Sequence, residues 1–248
     1  MASSTLNYRI EGDDFQALFV HLQPAATMRA EPGSFMFMEP GIQMDTSTGG
    51  GIMAGLKRAI GGESFFITTF RNEGSRPATV AFAAAYPGKM IVLDLSHGTV
   101  LCQRDAFLCS TTDVDVSVAF TRKLGAGFFG GEGFILQKLQ GTGQAFLHAG
   151  GYIIERELAN GEELRVDTGC LVAFEASVDY DIQMVRGIKT MLFGGEGLFY
   201  ALLRGPGKIW MQTTPFSRFA DKVMSAAGGG SERVQRGGNF LGGILQGE

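Results

Sequence analysis

The segments GGESFFITTFRNEG (residues 61–74), GGEGFILQKLQGTG (130–143) and GGEGLFYALLRGPG (194–207) are three versions of one phrase. In each, a glutamate (Glu63, Glu132, Glu196) follows Gly-Gly, a large apolar residue (Phe70, Leu139, Leu203) stands seven positions later and a glycine (Gly74, Gly143, Gly207) eleven later. The glutamates lie 69 and 64 positions apart, so the chain reads as three divergent units of similar length. A second phrase lies upstream of each copy: Gly33 and Gly41, Gly98 and Ala106, Gly161 and Gly169 form pairs that are each eight positions apart. The units expected from this are about 8–86, 87–150 and 151–214. Together they make a single β domain over residues 1–214, with 215–248 left as a C-terminal helix and glycine-rich tail.

Within a unit, short apolar runs alternate with glycine and proline. FQALFVHL (15–22), SFFITTF (64–70), ATVAFAAAY (78–86), KMIVLDL (89–95), VDVSVAF (114–120), QAFLHA (144–149), GYIIEREL (151–158), VDYDIQMV (178–185) and KIWMQT (208–213) have strand lengths, and several alternate. Glu31-Pro32-Gly33, Pro87-Gly88, Asn160-Gly161 and Gly205-Pro206-Gly207 are tight-turn chemistry. The chain has 37 glycines among 248 residues, which argues against a helical bundle, because an interior glycine costs about 1 kcal/mol relative to alanine. One helix is expected, where Thr214 or Ser217 caps FSRFADKVMSAA (216–227). The expected fold is therefore all-β: three units that cannot cover their apolar faces singly close into one body with pseudo-threefold symmetry.

Composition narrows the function. With 45% hydrophobic residues the chain can bury a sizeable core, and with 21 basic against 25 acidic residues it lacks the positive footprint of a nucleic-acid binder. Cys102, Cys109 and Cys170 have no C-x-x-C spacing, which fits a reducing compartment rather than a disulfide framework. The first residues, MASSTLNYRIEGDD, hold no basic stretch leading into an apolar one, and no run approaches the ~18 apolar residues of a membrane span. A cytoplasmic location is expected, with attachment at a membrane surface as the variant. His21, His97 and His148 lack a second ligand at metal-site spacing; Ser34, Ser64 and Ser75 have no adjacent base; and GAGFFGGEG (125–133) lacks the order of a dinucleotide loop. No catalytic residue, metal site or cofactor is expected.

The phrases GGESFF, Val166-Asp167-Thr168-Gly169 and GGEGLF with its following L-x-GPG, in this order, resemble a conserved bacterial family. Its eukaryotic relatives are the altered-inheritance-of-mitochondria number twenty-four proteins. The resemblance covers about residues 8 to 214. It implies a pseudo-threefold β prism or double-stranded β-helix grouped with the tryptophan RNA-binding attenuation protein, a link to mitochondrial inner-membrane organisation among the eukaryotic relatives, and no established reaction.

Two sets of residues stand out as candidates. Glu63, Glu132 and Glu196 could converge on a pseudo-axis and hold a cation, but a glutamate after Gly-Gly is better placed to accept backbone N–H bonds or to pair with Lys57, Lys123 or Lys189, and the structural role is favoured. The loops before those glutamates mix glycine, large apolar residues and cations: Ile52, Met53, Leu56, Lys57 and Arg58 in the first, Lys123, Phe128 and Phe129 in the second, Lys189, Met191, Leu192 and Phe193 in the third. Apolar surface of this kind marks association, so a homo-oligomer is expected, a trimer in preference. The leading function is a non-enzymatic oligomeric scaffold or protein-interaction module. The alternatives are a peripheral membrane module that meets anionic lipid through the same loops, and, by fold analogy alone, a small-ligand or nucleic-acid binder.

Overall fold

The structure is a computed structural model that describes residues 6–46, 67–122, 134–184 and 199–227. Among these residues, nineteen strands fall into four antiparallel sheets. The first sheet has the order β1-β2-β7-β4, with β1 Tyr8–Glu11, β2 Ala17–Leu22, β4 Phe35–Met38 and β7 Ala78–Ala83. The second is β5-β6-β3-β10-β13-β8, with β3 Thr27–Ala30, β5 Ile42–Asp45, β6 Thr68–Asn72, β8 Gly88–Asp94, β10 Phe107–Thr111 and β13 Gln144–Gly150. The third is β11-β12-β9-β16-β19-β14, with β9 Val100–Gln103, β11 Val114–Arg122, β12 Phe134–Gly141, β14 Ile153–Leu158, β16 Leu171–Glu175 and β19 Gly207–Gln212. The fourth is β15-β18-β17, with β15 Glu163–Asp167, β17 Asp179–Met184 and β18 Phe199–Arg204. The expected helix, α1, occupies residues 216–227; Pro215 directly precedes it, and its carbonyl accepts the Phe219 N–H at 3.1 Å.

Three hydrophobic cores lie between these sheets, and the side-chain pattern of each strand follows from how many of them it touches. β2 (ALFVHL) buries alternate residues, placing Leu18, Val20 and Leu22 in the first core, as a strand with one covered face must. β13 is buried along almost its whole length because both its faces are covered: Phe146 enters the first core, while Ala145, Leu147 and Ala149 enter the second. β19 likewise sends Trp210 into the second core and Ile209 into the third. Strands β13 and β19 are thus interior, while the outer strands β5 and β14 of the same sheets stay largely exposed.

The chain runs in a regular order. Strands β2, β8 and β14 pair with β7, β13 and β19. Strands β3, β9 and β15 pair with β6, β12 and β18. After each of β3, β9 and β15 comes a 3-10 turn (Pro32–Ser34, Arg104–Ala106, Thr168–Cys170), then β4, β10 or β16. In the first and third turns a carboxylate satisfies the free N–H: Glu31 accepts from Gly33 at 3.2 Å and Asp167 from Gly169 at 2.9 Å.

The upstream phrase is corrected here for the first third of the chain. Gly98 and Ala106 bracket β9, and Gly161 and Gly169 bracket β15, but Gly33 and Gly41 bracket β4, one strand too late. The residue two positions before β3 is Ala25, with φ 67°, where Gly98 and Gly161 precede β9 and β15. An alanine in the left-handed region thus stands before β3 where glycines stand before β9 and β15.

Candidate functional site

The residues singled out in the sequence, namely Ile52, Met53, Leu56, Lys57, Arg58 and Glu63 in the first third, Lys123, Phe128, Phe129 and Glu132 in the second, and Lys189, Met191, Leu192, Phe193 and Glu196 in the last, lie outside the described residues. Among the described residues the most unusual surface is a sheet edge instead.

Strands β10 and β16 are internal seams. Each joins its own half of a six-stranded sheet to the other half, in the registers Cys109↔Ala30, Ser110↔Arg29, Thr111↔Met28 and Ala173↔Cys102, Phe174↔Leu101, Glu175↔Val100. Both carry a bulge against the partner on their other side, between Phe107 and Cys109 and between Leu171 and Ala173. β4 has the same bulge, between Phe35 and Phe37, against β7. Yet among the described strands β4 pairs with β7 alone, and β15 with β18 alone.

The burial follows the pairing. Phe107, Leu108, Cys109 and Ser110 are buried, as are Leu171 through Phe174, whereas Phe35, Met36, Phe37 and Met38 are 36%, 52%, 40% and 37% exposed. Four consecutive large apolar residues on an unpaired edge are a template for another strand. Among the described residues this surface is covered in part, by Phe35 stacking on Phe70 at 5.3 Å and Phe37 leaning on Phe19 at 6.0 Å. The end of the strand is held like its counterparts: Glu39 accepts the Thr79 N–H at 2.6 Å, Thr111 accepts that of Gln144 at 3.1 Å, and Glu175 that of Lys208 at 2.9 Å.

A cavity of about 350 Å³ lies where α1 crosses the second and third sheets, lined in part by Tyr86, Gln103, His148, Gln212 and Phe216. Gln103 donates to the Thr168 carbonyl, and Gln212 ties Gly169 to Gly150 by donating at 2.8 Å and accepting at 2.7 Å. His148 is 3% exposed, and its Nδ1 finds no partner among the described residues. Burial drives its pKa from the ordinary imidazole range down to about 4, so the ring is neutral at pH 7. The Tyr86 ring meets it edge-on at 4.5 Å, and the Tyr86 phenol is itself pushed up to about 12 by burial and, secondarily, by Asp105. Gly88 is required here, because a Cβ on it would stand 2.1 Å from the Ala149 carbonyl oxygen and 2.6 Å from His148 Nε2.

His21 takes its tautomer from its neighbours. Arg9 Nη1 lies 2.8 Å from Nε2 and can only donate, so Nδ1 carries the proton towards Thr79 Oγ1 at 3.1 Å. Cys102 and Cys109 sit in the seams, where burial drives their thiols far above the usual range. Cys170 is half-buried beside Arg218. Among the described residues no three His, Cys, Asp or Glu side chains group as metal ligands, and no helix is long and apolar enough to cross a membrane.

A family model described as mitochondrial biogenesis AIM24 matches residues 8–214. The uncharacterized protein M6_Spy0233 of Streptococcus pyogenes serotype M6 is 24% identical over 229 residues, which cover 89% of this chain and 90% of that protein. The crystal structure of protein SPYM3_0169 from Streptococcus pyogenes superposes with a TM-score of 0.73 at 23% identity, over 89% of this chain and 99% of that one.

Proposed function

We propose, from the premise that the chain belongs to the mitochondrial biogenesis AIM24 family, that it is a non-enzymatic scaffold acting through protein association at an open sheet edge. Its body consists of three six-stranded units, β2–β7, β8–β13 and β14–β19, each joined to the next through a shared sheet. The pairings that recur from unit to unit support this reading. The observation that carries the function is the edge Phe35–Met38: the same strand is buried where β10 and β16 supply it, and exposed where β4 does. Fully burying a Phe or Met side chain contributes about 1.5–3 kcal/mol, so this edge supplies a driving force for association that no charged residue within it opposes.

The test is the mass of the particle in solution. Light scattering at micromolar concentration is expected to report a homo-oligomer, with a trimer as the leading multiplicity, and Phe37→Lys is expected to shift it to single chains with an unchanged far-ultraviolet spectrum. A wild-type protein that stays a single chain at those concentrations overturns the reading.

A further inference from the structure

The two internal seams share a device that the pairing alone does not reveal. The bulge in β10 turns two consecutive side chains, Leu108 and Cys109, into the first core, beside Met28 and Ala30 of the strand it meets. The bulge in β16 sends Val172 and Ala173 into the second core, beside Val100 and Cys102. Each seam is therefore a two-residue tooth pressed into the neighbouring unit's core. In β4 the same bulge turns out Met36 and Phe37.

The receiving strand is found by register. Met28, Val100 and Leu164 lie opposite Phe70, Leu139 and Leu203, the apolar residues of the repeated phrase. Counting from them, Val166 on β15 stands where Ala30 and Cys102 stand, and it belongs to the third core. Among the described strands, the first sheet ends in β4 and the fourth in β15. Placed side by side they give β1-β2-β7-β4 followed by β15-β18-β17, the same succession as β8-β13-β10 followed by β3-β6-β5 in the second sheet.

We propose that β4 of one copy of this chain pairs antiparallel with β15 of a second copy, in the register Phe37 to Val166, Met38 to Arg165 and Glu39 to Leu164, with Met36 and Phe37 entering the second copy's third core. This deepens the association reading above and rests on it. A second copy is the occupant because the chain itself carries the matching socket, a strand edge at the open end of a core. Size favours a seam between copies over one within a chain. The formed seams oppose Cys109 to Ala30 and Ala173 to Cys102, two small residues each, whereas the third opposes Phe37 to Val166. Among the described residues the first core takes nothing after Phe146 and the third nothing before Leu101, so neither end of the chain fills the other's core.

Directly opposed residues of an antiparallel pair have Cβ atoms about 4.5–5.5 Å apart, close enough for a disulfide after slight adjustment. In a Cys170→Ser background, mixing Phe37→Cys chains with Val166→Cys chains under mild oxidation is expected to give a covalent dimer, while Phe37→Cys mixed with Glu163→Cys gives none. A second measurement uses exposed positions that leave folding undisturbed. Met38→Lys, set against Arg165, is expected to weaken self-association at least tenfold, and Arg165→Glu in the same chain to restore it. An oligomer with neither cross-link nor charge rescue overturns the proposed seam while sparing the association reading; a wild-type single chain overturns both. A cross-link that forms only within a Phe37→Cys, Val166→Cys double variant, and never between mixed single variants, overturns the second copy as occupant.

Discussion

At the scale of single residues, Ala25 and His148 carry the clearest consequences. A left-handed backbone costs a residue with a Cβ roughly 1–2 kcal/mol, and glycine occupies the corresponding turns at Gly98 and Gly161, so Ala25→Gly is expected to raise stability by up to about 1 kcal/mol once the greater freedom of glycine in the unfolded chain is subtracted. Chemical denaturation at neutral pH measures it. His148 has its pKa lowered by burial to about 4, so between that value and about 6.5 the unfolded chain binds the proton that the folded chain refuses. Stability is therefore full above about pH 6.5 and declines as the pH falls towards 4, by on the order of 2–3 kcal/mol from this group. His148→Met should flatten that part of a stability-against-pH curve; a curve of unchanged slope would refute the assignment. Sequence spacing identified His148 only as a histidine without a neighbouring ligand. Its burial comes from β8 passing tightly over it at Gly88, a long-range pairing that no local pattern encodes.

At the scale of elements, the strand ends Glu39, Thr111 and Glu175 are interchangeable latches. Each accepts a backbone N–H of the neighbouring strand that would otherwise be left at a bulged seam without a ladder partner. Glu175→Ala is expected to cost about 1 kcal/mol, and Glu175→Thr to recover most of it, because threonine already serves at the middle position; thermal melting distinguishes the three proteins. The strands legible in the sequence were those with alternation and glycine punctuation: β2, β7, β8, β11, β13, β14, β17 and β19 match the apolar runs to within three residues at each end. The seam strands were not legible. FMFM in β4 and VLCQ in β9 are only four residues long and lie beside 3-10 turns, and β10 and β16 are bulged, so none shows a period. The repeated phrase runs through β6, β12 and β18, and a glycine within its second copy, Gly141, has φ 135° and a Cβ position only 2.0 Å from the Asp113 carbonyl oxygen. The upstream phrase slipped by one strand in the first third because Ala25 broke the glycine pattern.

At the scale of the whole molecule, the three teeth are expected to respond differently to truncation. Leu108→Ala removes a buried tooth and should lower the unfolding free energy by about 2–5 kcal/mol at any protein concentration, and Val172→Ala by somewhat less. Met36→Ala should leave the melting temperature of dilute protein unchanged and lower it only where the protein is concentrated enough to associate; melts recorded across a hundredfold dilution series separate the cases. Which edges meet was the part of the architecture beyond the sequence, since seams join residues 79 and 71 positions apart, Cys109 to Ala30 and Ala173 to Cys102. The orientation of the bulges bears on growth as well as on stability. On the proposed seam every unit carries one tooth and one strand edge that receives a tooth, so a linear run of units fused in a chain ends with one of each left over. Chain length then sets the mass of the particle but never its valence, which stays at two, and such a polypeptide can gain or lose a whole unit by duplication or deletion without losing the means to join its neighbours.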